Sequence, residues 1–287
     1  MAGIYVPAVL LPHVPDRDIL AARAAAVRAD AGFAVARDRF CAGVAACFAR
    51  RDPMARAVTD TGSYAIFAAL MAGELTGPTT IGGLVDLLGP SLASERRIRR
   101  TLATLEQQDL VMIAADGQDR RRRLVTLTGT SREFLVRWYG AYTAPLADLA
   151  AGMPVIPASP GGAAAWKFLV ARMFGQHGVT LTDSHPAVAA LMAKRGGYLA
   201  LLSATVEPDV SAHALARRFP RSLTQMRVLL PAVRALDPSR IDGWFATELG
   251  FAALVNDAVA SAGLTGPGGC PMAMGEIAKG DTHEVGQ

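Results

Sequence analysis

Residues 80–128 constrain the fold more than any other stretch, because helix, turn and strand patterns follow one another there at short spacing. A short apolar helix is predicted from Ile81, Leu84 and Leu88, stopping at Gly89-Pro90-Ser91. A second helix is predicted over 94–108, with Ser94 as N-cap and Ile98, Leu102 and Leu105 recurring at helical spacing. A strand follows over 110–115 and a turn at Asp116-Gly117-Gln118-Asp119, and a second strand ends in Leu124-Val125-Thr126-Leu127-Thr128. Helix, turn, helix and hairpin in that order specify a small helical unit carrying one β-hairpin.

Positive charge is concentrated on the same stretch. The formal net charge is only +4, yet Arg96, Arg97, Arg99, Arg100, Arg120, Arg121, Arg122 and Arg123 all fall within it. With Ile98, Leu102 and Leu105 turned inward, the opposite face of the second helix carries Arg96, Arg100, Ala103 and Gln107, flanked by Arg97 and Arg99. Such a cluster repels itself unless an anion neutralises it. In the hairpin, alternation sets Val125 and Leu127 toward the core with Arg121 and Arg123 in the same parity; Arg120 and Arg122 point the other way.

Asp119-Arg120-Arg121, three residues, Val125, one residue and Leu127-Thr128 resemble, position for position, the wing motif of the multiple-antibiotic-resistance regulator (MarR) family. The resemblance implies a winged helix-turn-helix and a sequence-specific, DNA-binding transcriptional regulator. The helix 94–108 would lie in the major groove of double-stranded DNA and the wing 115–124 at a minor groove. The expected DNA-binding set is Ser91, Ser94, Arg96, Arg97, Arg99, Arg100, Gln107, Gln118, Arg120, Arg121 and Arg122. Arginine there can bond guanine O6 and N7 or clamp phosphates. Asp119 would brace the wing by orienting Arg121. Family members often bind a small aromatic effector beside the pairing helices, and Tyr64, Phe67, Trp138 and Tyr142 are the candidates for such a pocket; core packing is their competing role. Two other readings stand beside the regulator: a tandem winged-helix replication initiator, and a protein–protein adaptor that no longer reads DNA.

Flanking segments predict a mainly α fold with two such units in tandem. Asp16 to Arg51 reads as one long helix, Met54 to Ala72 as a second, and Ser131 to Leu149 as a third. Residues 151–162, rich in proline and glycine, read as a linker between a first domain over 1–150 and a second over 163–262; a disordered tail is expected over 263–287. Beyond the linker the pattern restarts. His185-Pro186 answers Asp52-Pro53, Gly197-Tyr198 answers Ser63-Tyr64, Leu215 and Phe219 answer Leu84 and Leu88, and Ser222-Leu223 answers Ser91-Leu92, at offsets of 131–134 residues. The second copy is predicted to be degenerate: Pro231 should kink its helix 223–236 at ~3 kcal/mol, and no hairpin follows. The family resemblance implies pairing of such units, here as an internal pseudo-dimer or as a homodimer of whole chains.

The remaining residues narrow the function class. A hydrophobic share of 51% with 19% charged residues belongs to a folded chain, and its length suits two domains. Cys41, Cys47 and Cys270 make no regular framework and suit a reducing, cytoplasmic setting. Residues 1–15 lack the basic flank and long apolar core of a signal peptide, and prolines break the weakly charged run 138–166, so no membrane partner is expected. His177, Asp183 and His185 match no established metal spacing. No nucleophile elbow, phosphate-binding glycine loop or carboxylate pair appears, so neither an enzyme nor a cofactor or metal site is expected.

Overall fold

A computed structural model describes residues 17–76, 79–92, 94–117, 119, 121–149 and 184–261. The predicted linker 151–162 and tail 263–287, together with Gln118, Arg120, His177 and Asp183, lie outside the described residues. The described residues are mainly helical with one small antiparallel sheet.

The predicted helix Asp16–Arg51 is two helices, α1 (Arg17–Ala29) and α2 (Phe33–Cys47). The break is made by an Asx turn, in which the Gly32 amide donates to the Asp30 carboxylate at 2.8 Å. Gly32 is needed there because a Cβ would collide with the backbone carbonyl of Asp148. The second predicted helix also divides, into α3 (Met54–Ala57) and α4 (Thr61–Thr76), separated by an extended Val58. Asp60 starts α4 by accepting the Ser63 amide at 3.0 Å, while the Ser63 hydroxyl accepts the amides of Thr59 and Asp60 in return. This reciprocal cap outweighs the helical periodicity that runs through it.

The frame then continues with β1 (Thr79–Thr80), α5 (Ile81–Leu92), α6 (Glu95–Gln107), β2 (Val111–Ala115), β3 (Arg123–Leu127) and α7 (Gly129–Thr143), closed by a 3-10 turn (Ala144–Asp148). Strand β1 pairs with β3, so the hairpin is part of a three-stranded sheet in the order β1-β3-β2. Helix α5 does not stop at Gly89-Pro90-Ser91 but carries through to Leu92; proline keeps a helical φ, and its missing amide and crowding ring weaken the last turns without ending them. Ser91 therefore sits in the last turn of α5 and not in the connecting turn. Val111 pairs with Leu127 and Ile113 with Val125, and Val111, Val125 and Leu127 are buried, as strand alternation requires.

Helix α6 ends on Asp109, a left-handed residue (φ 55°), and the Leu110 amide reaches back to the Leu105 carbonyl at 2.9 Å. Thr128 caps α7 and also donates its hydroxyl to the Asp109 carbonyl at 2.6 Å, while Ser131 donates to the Leu110 carbonyl at 2.5 Å. Hydrogen bonds thus fix the end of α6, the base of the hairpin and the start of α7 to one another.

The second half holds α8 (Pro186–Met192), α9 (Gly197–Val206), α10 (Ala212–Arg218), α11 (Leu223–Arg234) and α12 (Pro238–Ser261). Ser211 caps α10 and Ser222 caps α11. Helix α11 runs on through Pro231, whose ring is exposed, and no strand follows it among the described residues. The two halves share one continuous core. Helix α2 lies against α7 on one side and α9 on the other, and Phe40 meets both Tyr142 (4.8 Å between ring centres) and Phe245 (6.0 Å). Helix α1 packs along α12, where Gly250 lets the backbone of Ala24 come close, and Arg23 pairs with Asp257.

Candidate nucleic-acid interface

Helix α6 is strongly amphipathic. Ile98, Leu102 and Leu105 are buried with Thr101, while Arg96, Arg97, Arg99, Arg100, Ala103 and Gln107 are exposed. Ser94 accepts the Arg97 amide at 3.4 Å and starts the helix. The four arginines of the cluster divide by their partners. Arg97 leaves the outer face to pair with Asp60 at the start of α4, lying where a Cβ on Gly62 would otherwise stand. Burial raises the Asp60 carboxyl, but the Ser63 amide and the Arg97 charge outweigh it and hold the group below the usual carboxylate range. Arg99 pairs with Glu95 one turn earlier at 2.7 Å. Arg96 and Arg100 have no carboxylate partner among the described residues, and they lie one turn apart on the solvent face.

The β2–β3 hairpin shows the same division. The Asp119 carboxylate accepts the backbone amide of Arg121 at 2.9 Å, and its carbonyl accepts the Arg122 amide at 2.9 Å, so Asp119 shapes the turn through the backbone. The guanidinium braced by an acid is that of Arg122, 3.7 Å from Asp116. Arg121 and Arg123 are exposed without a carboxylate partner among the described residues. Because Asp116 bonds to the Arg122 carbonyl through its own amide, the hairpin end is closed by backbone as well as charge.

The structure brings Tyr64, Phe67, Trp138 and Tyr142 together between α4 and α7. Tyr64 meets Trp138 edge-on at 5.2 Å, Trp138 meets Tyr142 at 5.8 Å, and Phe67 stands against Phe134 at 6.1 Å. Phe67, Trp138 and Tyr142 are buried and form part of the common core. The cluster continues into the second half through Tyr198 and Glu248, which the sequence did not single out. Tyr198 donates to Glu248 at 3.1 Å, and the other carboxylate oxygen of Glu248 is buried without a partner. Burial pushes the Glu248 carboxyl up to about 7, against the opposing hydrogen bonds from Tyr198 and Tyr142. A lone acid in the apolar run Trp244-Phe245-Ala246-Thr247-Glu248-Leu249 was the available signal.

Other candidates resolve into packing. Cys41 and Cys47 are buried, and burial raises both thiols, Cys47 to about 11. His185 bonds to the Thr247 hydroxyl at 2.9 Å and stands edge-on to Trp244. Among the described residues no group of three metal-ligating side chains converges, and no helix is long and apolar enough to cross a membrane. Asp60 was missed as well, although Asp60-Thr61-Gly62-Ser63 has the spacing of a helix start. Comparison with protein-family models, with curated proteins and with solved structures finds no match to this chain.

Proposed function

We propose that the chain is a sequence-specific DNA-binding transcriptional regulator in which α6 enters the major groove and the β2–β3 wing approaches an adjacent minor groove. The observation that carries this reading is the solvent face of α6. Arg96 and Arg100 are exposed there, with no carboxylate on them among the described residues, on a helix whose other face is buried and whose N-terminus is held by the Arg97–Asp60 pair. Guanidinium forks so placed suit guanine edges and phosphates. Arg121 and Arg123 extend the charge onto the wing.

We further infer that the second half descends from the same kind of unit and takes the place of a partner subunit. Helices α8 to α12 follow the order of α3 to α7 with the sheet left out, and Ser222 caps α11 as Ser94 caps α6, so that by position in the fold Ser222 answers Ser94 and not Ser91, which lies inside α5. A fused copy pairs at high effective concentration, which suits the shared core. Selection of genomic fragments by the purified chain, followed by sequencing, tests the function. A recovered set sharing one motif is the expected result, and recovery in proportion to abundance would overturn it.

A further inference from the structure

The loop joining α8 to α9 carries Lys194 and Arg195, both exposed, and among the described residues neither meets a carboxylate. The loop is held on three sides. Gly196 takes a left-handed φ of 79° and donates its amide to the Thr59 carbonyl of the first half at 2.8 Å. Side chains of Met226 and Arg221 sit beneath it, where a Cβ would come within 3.1 and 3.2 Å of them. From α11, Gln225 donates to the Arg195 carbonyl at 2.6 Å.

The same loop reaches the recognition helix through two residues. Arg195 Nε lies 3.4 Å from the Thr59 hydroxyl, Thr59 donates to Asp60 at 3.2 Å, and Asp60 holds the guanidinium of Arg97 on α6. Arg221 stands close by as well. Burial and the Arg195 charge lower it to about 10, partly offset by Asp60, and its Nη2 donates to the Ala55 carbonyl at 2.8 Å. The one carboxylate in this group, Asp60, is already occupied by Arg97 and Ser63. The loop of the second half is thus tied to α6 through Thr59, Asp60 and Arg97, and a loop so held costs little to order when a ligand binds.

Resting on the DNA-binding reading above, we propose that Lys194 and Arg195 bind phosphates. The second half then grips the duplex backbone beside the site read by α6 without reading bases itself. Such interactions position the protein and carry no sequence information.

The test uses the full chain and two labelled duplexes of equal length, the fragment most enriched by genomic selection and a random sequence, titrated by fluorescence anisotropy over a range of salt. Lys194→Ala with Arg195→Ala should lower the log–log salt slope by about 2 on both duplexes, at ~0.9 for each phosphate no longer neutralised, and leave the ratio of the two affinities unchanged. Lys194→Ala alone, which touches no internal hydrogen bond of its side chain, should lower it by about 1. Arg96→Ala with Arg100→Ala should instead reduce the ratio, and Arg227→Ala on the exposed side of α11 should change neither. Unchanged slopes in the loop variants, with the α6 variant impaired, would overturn the loop assignment and leave the function standing. Absence of binding by the unaltered chain to either duplex would overturn both.

Discussion

Tyr198 of α9 donates its hydroxyl to Glu248 of α12 at 3.1 Å, inside the seam where the two halves meet. Tyr142 and Tyr64 from the first half and Cys41 from α2 surround the same acid, and its charge raises all three tyrosines further. The seam is thus most comfortable with Glu248 protonated. Its carboxyl sits near 7 when folded against an ordinary 4.5, so unfolding releases a proton between those values. The contribution of Glu248 to stability is full below about pH 4.5 and is lost as pH rises toward 7, by at most ~1.4 kcal/mol per pH unit. Thermal melts of Glu248→Gln across pH 5–8 should be flatter than those of the unaltered chain. Parallel curves would show that the acid does not titrate in this window.

The arginines of α6 should separate by role. Arg97→Ala removes one partner of Asp60, which keeps the Ser63 amide and the Thr59 hydroxyl, and should cost about 1 kcal/mol of stability with base discrimination intact. Arg96→Ala or Arg100→Ala should leave the melting temperature within the usual surface range and weaken preference for the selected sequence, by ~1–3 kcal/mol for each guanine that is no longer bonded. Arg217→Ala on α10, exposed in the second half, should do neither. Equal losses of discrimination in all these variants would mean that both halves read bases.

Asp109 adopts a left-handed backbone at the end of α6, where glycine is at home. Asp109→Gly should raise stability by about 0.5–1 kcal/mol, the relief of ~1–2 being offset by the entropy that glycine loses on folding. Denaturant midpoints at constant slope would show it. A lower midpoint would mean that the carboxylate supports the turn in some other way.

If the second half stands in for a partner subunit, one chain should bind one duplex through a single reading helix. Light scattering of the free protein and of its complex should give one chain in each, with an asymmetric protected segment. Two chains on a palindrome would favour a homodimer of whole chains, since symmetric sites mirror two equivalent heads.

Local chemistry was legible in the sequence. Ser94 marks the start of α6 by its capping hydroxyl, and Ile98, Leu102 and Leu105 define the buried face of that helix by spacing alone. The alternation Val125-Thr126-Leu127 sets the register of β3. What escaped depends on residues distant in the chain. The break at Gly32 is made locally by Asp30, but the need for glycine there comes from the carbonyl of Asp148 overhead, which nothing near Gly32 announces. Strand β1 is two residues long, too short for alternation to be visible, and exists because β3 offers it an edge. Arg97 looks like its neighbours in the sequence, and only the fold of α4 brings Asp60 to it. Helix α2 gives no sign that its far side is covered by α9.

The embrace of α1 by α12 has a consequence for how the protein is made. Arg23 and its partner Asp257 are 234 residues apart, the distance a translating ribosome must cover before one can find the other. At ordinary elongation rates of ~5–20 residues per second, α1 waits on the order of ten to fifty seconds for the helix that covers it. Throughout that interval Leu20, Ala24 and Val27, buried in the finished protein, lack the helix that α1 packs along. Helix α1 is the first of the described helices to emerge and can only settle once α12 has followed, so the meeting of these two helices sets when synthesis yields a closed fold.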